Sequence, residues 1–469
     1  MILTFDFGTT WSRAGLLDAQ GQLVAMRTCP APPAANGEAD AEAWWDAALS
    51  LSDALACEAG ANWDTVQAIA ATGATRTQVL LDAALRPVRP ALLWNDVRSA
   101  AALGNVPDHP ESASLNPYHP AARLLWLHGV EPAALSATVA VVEPKDFIAA
   151  RLTGRMAGDH VASARLAAAA APGRGGPSLL ALLGLADRLV PPLLTPGDVL
   201  GPIRAGLPGV LGRLAGRPVV MLGTDTWTAA LGLGALRDGG AYLLSGTTDV
   251  LGLVSRHPAK APGLIALPWG GGLHHLGGPM SCGGGTAAWA AGVLGLPDAA
   301  ALDALAAGAA PGWPLFLPHL SGERVPFWDP ALRGAWVGMG TGTGRAELAL
   351  AVLAGVASNA RLVLERAEAA QGGRAALRLG GGGAGATWAQ VRADVLGRTM
   401  LLSAAPEPGL LGAAVAAWTA LGRYASLEAA QEALIPTPRP IQPEPAHTEV
   451  WDGLFPSWCA AVEALRRLP

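Results

Sequence analysis

Charge is scarce in this chain. Only 15% of its 469 residues are Asp, Glu, Lys or Arg, and they leave a net charge of -5 with no basic stripe. A phosphodiester backbone attracts clustered Lys and Arg, so nucleic acid is not an expected partner. Cysteine is equally sparse: Cys29, Cys57, Cys282 and Cys459 show no CxxC or CxxH spacing, which removes a zinc site and a disulfide framework. Long apolar runs are missing too. The charge-free span from Gly263 to Leu296 is interrupted by glycines, prolines and the His274-His275 pair, so it cannot run as one spanning helix, and no membrane partner is expected. The opening "MILTFDFGTT" lacks a basic n-region and places Asp6 where a signal peptide is apolar; a cytoplasmic protein is expected.

What remains is a chain rich in small apolar residues, 51% hydrophobic and long enough for two large globular domains. The first 28 residues alternate apolar and small polar side chains around turns at Gly8 and at Asp18 to Gly21, the pattern of a three-stranded antiparallel meander. A helix from Asp40 to Gly60 and a strand from Val66 to Ala71 follow. A second meander is expected in "GGAYLLSGTTDVLGLVSRHP", where Ser245-Gly246-Thr247-Thr248 echoes Phe7-Gly8-Thr9-Thr10. The echo puts a domain boundary near Arg237, giving 1–237 and 238–469. In the second half, Arg345 to Gln371 reads as a long amphipathic helix and "PGLLGAAVAAWTALG" as a closely packed small-residue helix. "PTPRPIQPEP" reads as a surface connection before a short last helix.

Several short motifs carry chemistry. Asp6 ends a strand and meets a Gly-Thr-Thr turn, where it could hold magnesium while Thr9 and Thr10 offer amides and hydroxyls to phosphate. Arg13 lies within reach of a transferring phosphoryl group. Gly246 and Thr247 repeat the turn, and Gly380, Gly381 and Gly382 would let a nucleotide approach the backbone after a strand. Each feature alone is also an ordinary turn. Asp225, in "MLGTDTWTAALGLGA", has no basic neighbour in the stretch; it is either a helix cap or a base that deprotonates a hydroxyl, and a salt bridge would lower its basicity.

Together the pieces resemble the FGGY family of carbohydrate kinases, of the actin, Hsp70 and hexokinase superfamily, and its xylulokinase branch most closely. The resemblance spans nearly the whole chain. It is carried by "DFGTTWSRA", "LLWNDVRS", "VEPKDFIAARLTGR", "FLPHLSGERVPFWDPALRGAWVGM", "GGGGAGATWAQVRADVLG" and "LLGAAVAAW". It implies an α/β fold of two ribonuclease-H-like domains flanking an ATP and sugar cleft that closes about a hinge. It further implies ATP and Mg2+ as cofactors, Asp225 as catalytic base and Asp6 as the metal-linked acid. Thr9, Thr10, Arg13, Gly246 and Thr247 fall to phosphate, and Gly380, Gly381 and Gly382 to the nucleotide. D-xylulose leads as substrate, ahead of other ketoses, polyols or a sugar acid such as gluconate; the rival reading is a non-catalytic ATP-responsive module. A homodimer is compatible with the chain.

The sequence departs from that pattern around the substrate. Thr75-Arg76 stands where xylulokinases carry Met-His, and Arg76 is similar to the arginine that glycerol kinases set against their polyol. It could bind hydroxyls or a carboxylate. Thr226 and Trp227 follow Asp225 in place of the usual Asn or Gln, so Thr75, Arg76, Asp225 and Thr226 are the substrate-site residues. Trp227 either narrows the pocket or fills the core. Gly385 replaces a Ser or Asn near adenine, and His274-His275 is not expected to bind metal.

Overall fold

The computed structural model describes every residue except 105, 174, 382–384 and 468–469. The chain forms two compact units. The first contains Met1–Gly232, Trp269–Gly271 and Gly409–Leu434; the second contains Leu233–Pro268, Gly272–Pro408 and Ile435–Pro469. The small-residue helix Pro408–Ala420 therefore serves the first unit almost entirely, although it lies late in the chain.

Both units are built on one strand plan. In the first, β1 (Ile2–Phe7), β2 (Trp11–Leu17) and β3 (Leu23–Pro30) form the expected meander. Next to β1 lies parallel β4 (Ala68–Gly73), then antiparallel β5 (Val199–Pro202) at the edge beyond parallel β6 (Pro218–Val220). In the second, β7 (Gly240–Ser245) and β8 (Asp249–Ser255) form the hairpin, and β9 (Ile265–Pro268) and β10 (His274–Pro279) extend its antiparallel side. On the other side lie parallel β11 (Leu377–Gly380) and β12 (Met400–Leu402), then antiparallel β13 (Arg439–Ile441). Reading outward from β1 and from β7, each sheet continues through two parallel strands to an antiparallel edge. The Gly-Thr-Thr echo thus marks a real repetition of architecture.

Burial explains which helices the sequence made legible. Arg345–Gln371 holds 15 buried residues, among them Val352, Leu353 and Val356 with no exposure. Each such side chain contributes roughly 1.5–3 kcal/mol through area removed from water. Among the described residues it is the one helix long and apolar enough to cross a membrane, and it is a buried core element. Two expectations need correction. "PTPRPIQPEP" is not purely a connection: Pro440 sits in β13, where an edge strand tolerates a residue without an N–H. The last helix is long, Pro445–Arg466, because Trp451, Trp458 and Val462 bury against the second unit.

Candidate active site

Three neighbouring strands of the first sheet end on one side and deliver the candidate residues there. β1 leads into Gly8-Thr9-Thr10, parallel β4 into Thr75-Arg76, and parallel β6 into Asp225. Loops beyond the carboxyl ends of parallel strands are the usual binding edge of such sheets. The Asp6 and Arg13 side chains face each other across the β1–β2 ladder, with Arg13 Nη1 at 3.8 Å from Asp6 Oδ2. A Cβ on Gly409 would lie 3.3 Å from Asp6 Oδ2, so a glycine there keeps the start of the Pro408–Ala420 helix clear of that carboxylate.

Asp225 is the first residue of a helix ending at Gly232, but it is not that helix's cap. Thr224 takes that task, its hydroxyl accepting from the Trp227 amide at 3.0 Å. The Asp225 carboxylate is held asymmetrically. Oδ1 accepts from the Thr75 hydroxyl at 2.7 Å, the Thr226 amide at 2.6 Å and the Thr226 hydroxyl at 3.2 Å. Oδ2 accepts from no described group, and no described cation lies within ion-pair distance of Asp225. The helix is fixed in place by close packing: a Cβ on Gly412 would fall 1.9 Å from Thr228 O, so only glycine lets these two backbones approach.

Arg76 is held in a left-handed conformation, φ 63°, which costs a non-glycine residue about 1–3 kcal/mol. Two buried side chains fix it. The Glu143 carboxylate accepts the Arg76 amide at 2.6 Å, and Arg123 Nη1 donates to the Arg76 carbonyl at 2.6 Å. Burial pushes the Glu143 carboxyl well above the usual range, opposed by Lys145. Lys145, Asp146 and Asp159 form a sealed ion-pair cluster behind it, with Lys145 Nζ at 2.5 Å and 2.6 Å from the two aspartates.

In the second unit the corresponding hairpin has Ser245 and Asp249 paired across the turn that contains Gly246 and Thr247. The start of the Gly284–Val293 helix packs on that turn, with the Gly284 and Gly285 amides donating to Gly246 O and Thr247 O. Asp249 is sealed from water and accepts Arg392 Nη2 at 2.7 Å; Arg392 also reaches Ser245 Oγ at 2.7 Å and lies 4.1 Å from the Trp388 ring centroid. Gly380 ends β11. Gly381 has φ 103°, and a Cβ there would be 2.2 Å from Ser245 O, so this glycine serves close packing against β7. Gly382 lies outside the described residues.

Residues 1–232 match the N-terminal domain of the FGGY family of carbohydrate kinases, and residues 241–421 match its C-terminal domain. The chain belongs to this family. It is similar to xylulose kinase of Klebsiella pneumoniae, 31% identical over 85% of both chains, and to glycerol kinase of Dechloromonas aromatica, 29% identical over 98% of this chain and 97% of that one. The crystal structure of gluconate kinase from Lactobacillus acidophilus superposes with a TM-score of 0.89 at 22% identity, covering 99% of this chain and 98% of that one. The two-domain kinase fold and an ATP-dependent sugar kinase activity follow from family membership.

Around the site, several sequence alternatives close. Trp227 is buried, and its indole N–H donates to Trp269 O at 2.9 Å; it fills the core. Trp44 is core as well, while Trp11 is exposed beside Thr9 and Thr10. Gly385 has a steric reason: a Cβ would meet the Asp303 carboxyl at 2.6 Å, and Asp303 accepts the Thr387 and Trp388 amides that open the Ala386–Leu396 helix. Sequence reasoning assigned no role to Arg123, Glu143, Arg165, Asp249, Asp303 or Arg392. The available signal was a lone charge inside an apolar stretch, as in "AARLLWL" or "ALDALAAG", which needs a buried partner or a ligand.

Proposed function

We propose that the chain transfers the terminal phosphoryl group of ATP to a primary hydroxyl of an open-chain sugar, with Asp225 as the base. The carrying observation is the asymmetry of its carboxylate. Oδ1 is tied by three donors while Oδ2 is left to accept a proton, the arrangement a general base needs. The substrate hydroxyl would lose its proton to Oδ2 as its oxygen bonds to the γ-phosphorus and the bond to the β-phosphate oxygen breaks. Thr75 and Thr226, whose hydroxyls are engaged with Oδ1, orient the base beside the substrate. Arg76 directly follows Thr75 and places a guanidinium in the same loop.

The remaining roles follow the same reading. Thr9, Thr10 and Arg13 take phosphate oxygens in the first unit; Gly246, Thr247, Gly380 and Gly381 serve the nucleotide in the second. Asp6 suits magnesium, because that ion is usually held by one or two carboxylates together with water and phosphate. No group of three potential metal ligands occurs among the described residues, so the donor set fits an ion brought in largely by the nucleotide. When bound, it would shield the phosphate charge.

D-xylulose, giving D-xylulose 5-phosphate, is the first substrate to test because xylulose kinases recur among the relatives. A sugar acid is the second reading, favoured by Arg76. Coupled ATP consumption over ketoses, polyols and aldonates should rise with at least one of them. Asp225→Ala should lower that rate by about 10²–10⁴-fold while ATP still binds. Full turnover by this variant would sink the base assignment, and a flat panel with intact ATP binding would favour a non-catalytic module.

A further inference from the structure

The residue next to Thr75 is fixed through its backbone and unengaged through its side chain. Glu143 and Arg123 clamp the N–H and C=O of Arg76, whereas its guanidinium makes no hydrogen bond with any described residue. Committing two buried side chains, Glu143 and Arg123, to hold a left-handed arginine is hard to explain by packing alone, since φ 63° is itself costly. It is readily explained if the direction of the side chain matters.

The surroundings carry an excess of cations. Among the described residues, no carboxylate lies within ion-pair distance of Arg76, Arg123 or Arg165. Arg123 is fully occupied with the carbonyls of Arg76, Trp94, Asp96 and Tyr118. Arg165 donates to Ser114 O at 2.9 Å; burial and the neighbouring Arg76 and Arg123 bring it down to about 9. Burial likewise brings Arg123 down to about 10, with Arg76 adding repulsion. His119 lies in the field of the same three arginines, and burial pushes it down to about 2, so it adds an N–H without a charge. Its Nδ1 accepts the Ala121 amide at 3.1 Å, which puts the proton on Nε2, a buried atom with no partner. The anions acting on Arg76 are Glu143, already engaged by its backbone, and Asp225.

We infer that Arg76 seats a carboxylate of the substrate, so that the preferred substrate is an open-chain sugar acid phosphorylated on a primary hydroxyl remote from its acid group. The inference rests on Asp225 as the base. Like-charge repulsion from Asp225 keeps the substrate's carboxylate away from the reacting hydroxyl, while a guanidinium fork matches the two oxygens of a carboxylate. The reaction balances as before: the hydroxyl proton goes to Asp225, the new phosphate ester forms, ADP leaves, and the carboxylate is unchanged.

The test uses the full chain and matched pairs: tetronates, pentonates and hexonates, each beside the alditol of the same configuration, together with D-xylulose. Calorimetry without nucleotide gives Kd, and coupled assay gives kcat/KM. At least one aldonate should exceed its alditol and D-xylulose by about tenfold or more in both measurements. Arg76→Met should cost that acid at least about tenfold more in kcat/KM than it costs the neutral substrates, with Arg76→Lys recovering part of the loss. The wild-type comparison needs no variant, so a misfolded Arg76→Met would not rescue a wrong inference. Neutral substrates turned over as well as every acid, or equal losses on both classes in a folded Arg76→Met protein, would overturn the carboxylate seat and leave the kinase reading standing. No turnover of any compound despite ATP binding would overturn the underlying reading as well.

Discussion

Replacing Asp249 by Asn should destabilise the second unit severely. Asp249 and Arg392 are both without exposure, and the substitution takes the opposing carboxylate charge from a buried guanidinium that cannot shed its proton. Breaking a buried pair from one side costs about 3–5 kcal/mol. For a unit of this size each kcal/mol moves Tm by about 2–4 °C, so the drop should be roughly 6–20 °C. The Arg392→Met variant should behave differently, because the carboxyl it strands can take up a proton. Burial already pushes Asp249 upward, against the pull of Arg392 and Ser245. A folded-state pKa above the unfolded value favours folding below the unfolded value, and that contribution is lost as pH rises through the folded one. Arg392→Met should therefore recover stability as pH falls from 8 to 5, relative to wild type, and Asp249→Asn should not. The double variant Asp249→Leu/Arg392→Met removes both charges and should lie above Asp249→Asn. Calorimetric melts of the four proteins across that pH range check the series. An Asp249→Asn melt within about 2 °C of wild type, or a double variant no better than it, would refute the reasoning.

Two further outcomes follow. Thr75→Val removes the 2.7 Å hydrogen bond to Asp225 Oδ1 and should lower kcat about 5- to 10-fold with the KM for ATP unchanged. Thr75→Ser should restore most of the rate; equal losses in both variants would show that the hydroxyl is not what matters. Glu143→Gln keeps an acceptor for the Arg76 amide without the buried charge, so its activity should stay within about threefold of wild type, while Glu143→Ala costs about 1–3 kcal/mol and raises the sugar KM. Because burial raises the Glu143 pKa, its contribution to stability is present at low pH and lost as pH rises through the folded value; Glu143→Gln should flatten that decline between pH 5 and 9. Melts and sugar kinetics over the range would count against this if the Gln and Ala variants behaved alike.

The elements most legible in sequence were those whose local pattern agrees with their environment. The β1–β3 meander alternates as an antiparallel sheet should, and Arg345–Gln371 has the expected limits because its apolar positions face one core. The Pro408–Ala420 helix was recognisable by its small residues, but the unit it packs into was not, since nothing local encodes the meeting of Gly412 with Thr228. Asp225 could be singled out from its unpaired charge. Its three-donor clamp could not, because Thr75 lies 150 positions away. Arg123 and Glu143 were hidden for the same reason: their partners are backbone atoms of Arg76, which have no signature in sequence.

The repeated hairpin carries its acid differently in the two units. In the first unit the acid precedes the turn, at Asp6, and its side chain keeps 19% exposure opposite a partly exposed Arg13. In the second it follows the turn, at Asp249, where Ser245 and Arg392 enclose it completely. A partly exposed ion pair is cheap to rearrange, whereas one sealed from water is strongly destabilising to break. The two Gly-Thr-Thr turns therefore cannot be read as equivalent from their letters. In the first, the flanking acid keeps part of its surface beside Arg13; in the second, the flanking acid is buried and fixes the β7–β8 hairpin through Ser245 and Arg392.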